Sequence, residues 1–260
     1  MEASLSRSFA IQRRVVGALI LREIITRYGR HNIGVLWLVL EPMLFTLGVA
    51  GLWTFANLHA LTDIPIIAFA ITGYSSVLLW RNAASRCSKA IEPNLSLMYH
   101  RNVKVIDIFF ARVLLEVVGG VASLTVLTLF FASLGFMPWP REVPLVLAGL
   151  LLLAWFAFAL GLIVGAISER SEMFERVWHI CTYLLFPLSG AAFMVHWLPR
   201  AAQDIVLTLP MVHGVEMIRH GFFGNVVQTY ESPAYVSVIN LVLTLIGLAL
   251  VRETGRRVQP

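Results

Sequence analysis

The residues best suited to chemistry are His213, Glu216 and His220, within the segment HGVEMIRHG. On a helix they share one face, because positions three and four apart lie one above another. Two histidines and a carboxylate can hold zinc and leave a fourth coordination position open, and the same groups suit an intramembrane transferase. No recognised motif surrounds them, so hydrogen bonding at the membrane interface or gating is the favoured interpretation, and no metal is expected.

The sequence lacks the common motifs of nucleotide-binding and catalytic sites. No GxxxxGK[ST], GxSxG, HExxH or CxxC segment occurs, and the two lysines, Lys89 and Lys104, follow no glycine-rich run. The chain is therefore not itself a P-loop ATPase, and we expect neither an enzyme nor a cofactor site. Cys87 and Cys181 are not expected to form a disulfide, because neither should meet an oxidising compartment.

The composition requires a lipid environment. Hydrophobic residues make up 58% of the chain and charged residues 13%, with a mean hydropathy of +0.78, whereas soluble domains carry about 25% charged residues. Since roughly 20 apolar residues cross a bilayer, the pattern predicts an all-α polytopic membrane protein with six transmembrane helices. They are expected at 33–56, 64–80, 107–134, 143–167, 177–198 and 234–251, the fifth interrupted by Pro187 and Gly190.

The distribution of positive charge predicts the orientation. All but three of the 20 lysine and arginine residues fall in the N-terminal segment, the C-terminal tail, or the loops after spans two and four with their margins. The exceptions are Arg141, Arg200 and Arg219. Because cytoplasmic loops are rich in Lys and Arg, both termini are expected in the cytoplasm. The net charge of +5 is attributed to topology and anionic lipid, and no nucleic-acid partner is expected.

Residues 1–32 are predicted to form a cytoplasmic amphipathic helix at the membrane interface. Its apolar face comprises Ile11, Val15, Ala18, Leu21, Ile25 and Tyr28, at the spacings that mark one side of a helix. Arg14 and Arg22 interrupt this face. Such a helix lies in the headgroup layer with its arginines toward anionic lipids. It is either an anchor that sets topology or a gate beside the route of an anionic, lipid-linked substrate.

Several polar residues lie within the predicted spans. Glu41 and Pro42 fall in the first half of the first span, Asn240 in the sixth, and Arg112 and Glu116 stand four apart in the third. A charged group in hydrocarbon is costly and normally faces the bundle interior or water. We therefore expect Glu41 to face protein or water, a bend at Pro42, and an Arg112–Glu116 pair on one helix face.

The longest connection on the cytoplasmic side covers residues 81–106. Small residues in its first half favour a helix, which Glu92-Pro93 is expected to end. Asp107 is a candidate N-cap for the third span, as Ser171 is for the helix after the fourth. A short helix held parallel to the membrane by such breaks would suit docking of a soluble partner, although any solvated loop has a similar composition.

Three blocks of this sequence resemble a known family. LREIITRYGRHNIGVLWLVLEP, LSLMYHRNVKVIDIFFARVLLE and LPMVHGVEMIRHG are similar, in order and spacing, to blocks in the membrane subunits of capsular-polysaccharide exporters. These are type-2 ABC exporter permeases, related to those for O-antigen and teichoic acid. The resemblance covers roughly residues 10–255. The third block is looser, since it lacks the Asn often found before Pro210.

The resemblance implies a homodimer of six-span subunits bound to two copies of a separate ABC ATPase, which would bind the ATP and Mg. ATP-driven motion would move a lipid-linked, usually anionic polysaccharide across a bacterial inner membrane, with periplasmic and outer-membrane export proteins as further partners. Residues 1–32 would be the interface or gate helix and 33–260 the transmembrane domain.

Two segments gain a role from this resemblance. The loop 81–106 resembles the coupling helix that docks into the ATPase. Its candidate contact residues are Arg86, Ser88, Lys89, Glu92, Tyr99, Arg101 and Lys104. Residues 199–232 resemble short re-entrant helices that close an exterior gate, with His213, Glu216 and Arg219 as the candidate gate residues.

A sliding glycan needs a continuous polar path lined by aromatic faces and hydroxyls. At its entry, Arg27 and Arg30 are candidates to receive phosphate or carboxylate groups, with Glu41 beyond them. The candidates for stacking are aromatic residues of the fifth span, Tyr183, Phe186 and Phe193. Packing against lipid or other helices is the alternative role for these rings, and a non-transporting membrane scaffold is the alternative for the whole chain.

Overall fold

The protein is described by a computed structural model that covers residues 5–28, 33–56, 64–99 and 103–258. These residues form ten α-helices joined by loops and short 3-10 turns, which agrees with the predicted all-α class. The helices are α1 (Leu5–Tyr28), α2 (Ile33–Phe55), α3 (Ile66–Cys87), α4 (Leu95–Met98), α5 (Val105–Ser133), α6 (Val143–Ser168), α7 (Glu172–Leu188), α8 (Arg200–Val206), α9 (Pro210–Phe223) and α10 (Pro233–Val258).

Four of these helices are long and apolar enough to cross a membrane. They are α2, α5, α6 and α10, over Leu36–Phe55, Val105–Ser133, Val143–Ser168 and Pro233–Arg257 among the described residues. The two other predicted spans, 64–80 and 177–198, correspond to α3 and α7. The polar last turns of α3 lower its hydropathy, and α7 has only 17 residues.

Helix α3 lies at the centre of the bundle. It packs against α2, α5, α6 and α9, while α10 packs along α6. The contact of α6 with α9 is close because both helices carry glycine there: a Cβ at Gly149 would lie 2.8 Å from Ile218, and one at Gly214 would lie 2.5 Å from Leu153. Small residues allow such close backbone approach between membrane helices.

Two predicted boundaries are wrong. Residues 81–87, expected to belong to a separate helix of the loop that ends at Glu92-Pro93, are the last turns of α3, which ends at Cys87. The fifth span, expected to reach 198, ends as a helix at Leu188, one residue after Pro187, and Gly190 follows with a φ of +84°. A proline within a helix removes a backbone donor, and a glycine in the left-handed region favours a chain reversal, so the two residues together end α7.

The two predicted N-caps had different outcomes. Ser171 caps α7 as predicted, since its hydroxyl accepts a hydrogen bond from the Phe174 amide at 3.2 Å. Asp107 is not the N-cap of α5: the helix begins at Val105, and Lys104 occupies the cap position. The Asp107 carboxylate instead reaches back from the third helical position and accepts from the Lys104 amide at 2.9 Å, as the acidic member of a capping box does.

Helix α1 packs on α5 and α2 through a face of mixed character. Leu19 is buried, and Gln12, Arg22 and Glu23 are half-buried beside it. Residues of the predicted apolar face, such as Leu21, point away from the rest of the chain. The arginine that interrupts the sequence pattern, Arg22, therefore belongs to the inward face.

Candidate functional site

We call the end of the bundle where α3, α6 and α10 end, and α5 and α7 begin, the basic end. There the ion pairs run between helices. Arg86 on α3 lies 3.7 Å from Glu41 on α2 and 3.6 Å from Glu116 on α5. Glu41 is thus beside protein, as expected. Arg112, predicted to pair with Glu116, lies 3.4 Å from Glu23 on α1 and donates to the Arg86 carbonyl at 2.7 Å.

This network ties four helices together. Arg86, an expected ATPase contact, is directed into the bundle at the inner end of the loop. Glu41 pairs with Arg86 from α2, which continues as a helix through Pro42. Arg27 lies in α1 with its side chain outside the described residues, and Arg30 and Arg101 fall outside them altogether.

The segment 88–99 is anchored to the bundle on its inner side. Ile91 is fully buried and Met98 nearly so. The Asn94 amide donates to the Ala90 carbonyl at 2.8 Å, and its side-chain oxygen accepts from the guanidinium of Arg22 on α1. Arg22 also donates to the Pro93 carbonyl at 2.7 Å.

Lys89 supplies a second anchor, toward α7. Its ammonium lies 3.0 Å from the Glu175 carboxylate, and this hydrogen bond raises the pKa of Lys89 above its ordinary value. The backbone of Lys89 has a φ of +49°, which is uncommon for a residue other than glycine. Ser88 immediately precedes it as the C-cap of α3.

The outer side of the same segment is exposed. A 3-10 turn over Glu92–Asn94 leads directly into the four-residue helix α4. Glu92 and Leu95 face outward, and Tyr99 is 78% exposed. Lys104 is exposed just before α5. We call the exposed residues Glu92, Pro93, Leu95, Ser96 and Tyr99 the docking face. The short helix α4 thus follows Glu92-Pro93, whereas the sequence predicted a helix before this break. The segment has an anchored inner side and an exposed outer side.

Aromatic rings from α2, α3, α7 and the 3-10 turn Val195–Trp197 form a row along the bundle. Neighbouring ring centroids lie between 5.2 and 6.0 Å apart. These ring-to-ring contacts join, from the basic end to the opposite end, Phe186, Phe45, Tyr74, Trp53, Phe69 and Trp197. Tyr183 is added to the set because the Arg81 guanidinium contacts its ring and that of Phe186. We call this set the aromatic row.

An arginine lies near each end of the aromatic row. The Arg81 guanidinium lies 5.2 Å from the Tyr183 ring and 5.3 Å from the Phe186 ring. At the other end, the Arg219 guanidinium lies 3.9 Å from the Phe69 ring. Such cation–π contacts are favourable, more so when desolvated. From Arg81 to Phe69, twelve residues along α3, the row covers about 18 Å.

The structure separates Phe193 from the two aromatics predicted with it. Tyr183 and Phe186 lie on α7 in the aromatic row, whereas Phe193 follows the end of the helix. Its half-buried ring packs with a small cluster that includes Val195 and Val212. Its carbonyl accepts from Arg219 at 2.6 Å, so its contribution to the site is a backbone group.

Arg219 on α9 organises the end opposite the basic end. Its side chain is fully buried. It donates to the carbonyls of Gly190 at 2.6 Å, Ala191 at 2.8 Å and Phe193 at 2.6 Å. These carbonyls belong to the loop beyond Ser189, the C-cap of α7. Arg219 thus supplies hydrogen-bond donors to loop carbonyls at this end of the bundle.

The remaining α9 polar residues bind other loops at this end. The Glu216 carboxylate, 1% exposed, accepts from the amides of Val195 at 3.4 Å and Tyr230 at 3.3 Å. The ring of His213 contacts the Leu207 carbonyl at 2.8 Å and accepts from the Ser232 amide at 3.1 Å. Arg219, Glu216 and His213 therefore each bind a different piece of backbone.

His220 pairs with the Glu231 carboxylate. Burial would raise the pKa of Glu231, but hydrogen bonds from His220 and Thr229 outweigh it, so this pKa lies below its ordinary value. Among the residues that the structure describes, no three His, Cys, Asp or Glu side chains meet as a metal site requires. The predicted trio is divided among separate partners, and its geometry suits a structural clasp better than zinc or transferase chemistry.

Sequence reasoning missed Arg22 and Arg81 as site residues. A signal existed for Arg22, since a charge on an otherwise apolar helix face needs a partner. Arg81 directly follows an apolar run that ends at Trp80, so the sequence pattern predicted only a cation in a loop. Its aromatic partners lie about a hundred residues further along the chain, so local sequence patterns do not indicate the contact.

The family model for ABC-2 type transporters matches residues 14–223 of this chain. The chain belongs to the ABC-2 type transporter family. The capsule polysaccharide export inner-membrane protein BexB of Haemophilus influenzae is 45% identical to this protein over 259 residues. The aligned residues cover 100% of this chain and 98% of BexB.

Two further relatives are similar over almost their whole length. The capsule polysaccharide export inner-membrane protein CtrC of Neisseria meningitidis serogroup B is 46% identical over 259 residues, covering 100% of this chain and 98% of CtrC. The polysialic acid transport protein KpsM of Escherichia coli is 31% identical over 245 residues, covering 94% and 95%. The family inferred from the three sequence blocks is confirmed.

Proposed function

We propose that this chain is the permease subunit of an inner-membrane ABC exporter that moves a lipid-linked, anionic capsular polysaccharide. The full-length similarity to capsule polysaccharide export proteins supports the substrate class. The geometric observation that carries the proposal is the aromatic row, with an arginine near each end. Two such subunits would act with two copies of a separate ABC ATPase, and periplasmic and outer-membrane proteins would continue the export.

The proposed topology has six spans, with both termini in the cytoplasm. Helices α3 and α7 would cross beside the four apolar helices. The central position of α3 supports this, because most of its residues are shielded by neighbouring helices rather than exposed to lipid. The excess of Lys and Arg at the basic end supports a cytoplasmic location for that end. Residues 199–232 would form the exterior gate segment, held by α9.

The docking face is proposed to receive the ATPase. A partner that pushes on Leu95 or Tyr99 meets a segment fixed to α1 by Arg22 and to α7 by Lys89. Rigid anchoring lets a displacement at the surface reach the helices instead of being absorbed by a loop. Since α7 carries Tyr183 and Phe186, this arrangement connects the docking face with the aromatic row.

The aromatic row is proposed to line the glycan path. Ring faces accept sugar C–H groups without fixing one position, so successive units can slide. Arg81 would meet carboxylate or phosphate groups near the cytoplasmic entrance. Three of the rings, Tyr183, Phe45 and Trp197, are 67%, 44% and 37% exposed, which leaves faces free for a substrate or a second subunit.

Co-purification with the ATPase tests the proposal. The chain is co-expressed with a candidate ABC ATPase subunit, and the mass of the complex is measured by native mass spectrometry. We expect two copies of each subunit and ATP hydrolysis stimulated by the lipid-linked polysaccharide. A chain that purifies without the ATPase and does not change its rate of ATP hydrolysis would rule out the permease role. That result would favour a non-transporting membrane scaffold.

A further inference from the structure

A groove between the start of α5 and the end of α10 lies apart from the aromatic row and the docking face. It encloses about 460 Å³ and is lined by Lys104, Val105, Ile106, Leu248, Val251, Arg252, Gly255 and Arg256. Ligand pockets in proteins commonly have volumes of this order.

The lining of the groove divides into two chemical parts. Lys104, Arg252 and Arg256 supply three cations, all exposed. The other part is apolar and includes Ile106 and Leu248. Both helices that form the groove are candidate membrane spans, so the cations stand at the membrane boundary and the apolar part faces the acyl layer.

The three cations have no carboxylate partner within ion-pairing distance in the described part of the chain. Of the neighbouring carboxylates, Glu253 lies 2.9 Å from Arg170 and 2.5 Å from Arg257. Asp107 accepts from the Lys104 amide and from Gln12, and its charge offsets part of the Lys104 charge. The net positive charge that remains above the apolar floor is suited to a phosphate with attached acyl chains.

We propose that this groove binds an anionic phospholipid, with its phosphate among Lys104, Arg252 and Arg256 and an acyl chain along Ile106 and Leu248. The leaflet depends on the proposed orientation and would be the cytoplasmic one, whereas the site itself depends only on α5 and α10 crossing the membrane. A bound lipid would bridge the start of α5 and the end of α10, two helices separated by more than a hundred residues in the chain.

The test is native mass spectrometry of the full-length chain in detergent, titrated with phosphatidylglycerol or phosphatidylcholine. We expect phosphatidylglycerol to bind more tightly. Replacing Lys104, Arg252 and Arg256 by Gln should weaken its binding by about 100-fold, at roughly fivefold for each cation near an anionic headgroup. The matched control replaces three exposed arginines outside the groove, Arg13, Arg14 and Arg176, by Gln and should change binding by less than about twofold.

A second pair of variants tests the groove without changing charge. A Cβ at Gly255 lies in ordinary contact with Val105, at 3.8 Å, so Gly255→Trp should fill the groove and Gly255→Ala should leave it open. We expect Gly255→Trp to lose phosphatidylglycerol and Gly255→Ala to retain it. These two variants still test lipid binding in the groove if the triple substitution fails to fold.

Three outcomes would overturn the proposal. One is equal weakening by the control triple substitution, which would mean diffuse attraction to the basic end. Another is unchanged lipid binding by Gly255→Trp. The third is displacement of the lipid by inorganic phosphate alone, which would assign the groove to a soluble anion. None of these readouts requires transport, so a failure here is distinguishable from a failure of the proposed export function.

Discussion

The guanidinium of Arg22 on α1 donates to the carbonyl of Pro93 at 2.7 Å, across 71 positions of sequence, and also binds the Asn94 side chain. This contact joins the N-terminal helix to the inner side of the segment that carries the docking face. Next to it, Glu23 pairs with Arg112 on α5. Helix α1 is therefore positioned to move together with the docking face.

Replacing Arg22 by Gln should loosen residues 92–99. Hydrogen bonds from a charged donor contribute about 1.5–3 kcal/mol, so local opening should become roughly 10–100-fold more frequent. Hydrogen exchange of the amides in this segment measures the change directly. Arg13→Gln, an exposed arginine on the same helix, is the control. Equal exchange rates in Arg22→Gln and the unaltered chain would show that the Arg22 contact does not stabilise residues 92–99.

Removing the exposed side chains of the docking face should weaken ATPase binding and leave membrane insertion unchanged. For Tyr99→Ala we expect a loss of about 2 kcal/mol, or about 30-fold, because exposed aromatic residues often dominate interfaces. Leu95→Ala and Glu92→Gln should each have a smaller effect. Affinity of the purified subunits is the measurement.

The control for this prediction is Tyr230→Ala, a tyrosine at the opposite end of the bundle that is 37% exposed. It should bind the ATPase normally. Full affinity in Tyr99→Ala, Leu95→Ala and Glu92→Gln together would place the docking face elsewhere.

Hydropathy alone located α2, α5, α6 and α10, because a long apolar run has few other solutions in lipid. It did not locate the end of α7, since Pro187 within an apolar run is compatible with either a kink or a stop. The stop is stabilised by Arg219, which donates to the carbonyls beyond α7 from a separate helix, a contact that local sequence does not indicate.

The candidate site, too, was predictable only where it depends on local sequence. The exposed loop with Glu92 and Tyr99 was predictable, because breaks and charges are local features of sequence. The inward direction of Arg86 and the aromatic row were not, since both depend on which helices become neighbours. Of the predicted stacking residues, Tyr183 and Phe186 meet in the row, while Phe193 lies in the cluster beyond the helix end.

Arg219→Met should destabilise the protein strongly. It leaves three buried carbonyls without their donor, at a cost of about 3 kcal/mol or more, or a fall in melting temperature of about 10 °C in detergent. Arg219→Lys should not restore stability, because one ammonium cannot reproduce the guanidinium fork. Arg200→Met, at an exposed position of α8, should melt normally. A stable Arg219→Met protein would contradict the role assigned to this residue.

The aromatic row should control transport rate without controlling ATP hydrolysis. Tyr183→Ala should slow export by about two- to tenfold, the range expected for loss of one aromatic contact, and Phe186→Ala should act similarly. Tyr183→Phe keeps the ring and should export normally. Leu184→Ala, at an exposed neighbouring position outside the row, is the second control. A slow Tyr183→Phe variant would indicate that the hydroxyl, not the ring face, is what matters.

The most direct test is transport into sealed vesicles that contain the chain and its ATPase, with the ATPase facing outward. Labelled lipid-linked anionic polysaccharide is presented on the outside, and the amount protected from an added glycan-degrading enzyme is measured with ATP and without it. We predict protection that requires ATP, the chain and the ATPase together. Equal protection without the chain, or ATP hydrolysis with no protected polysaccharide, would contradict it.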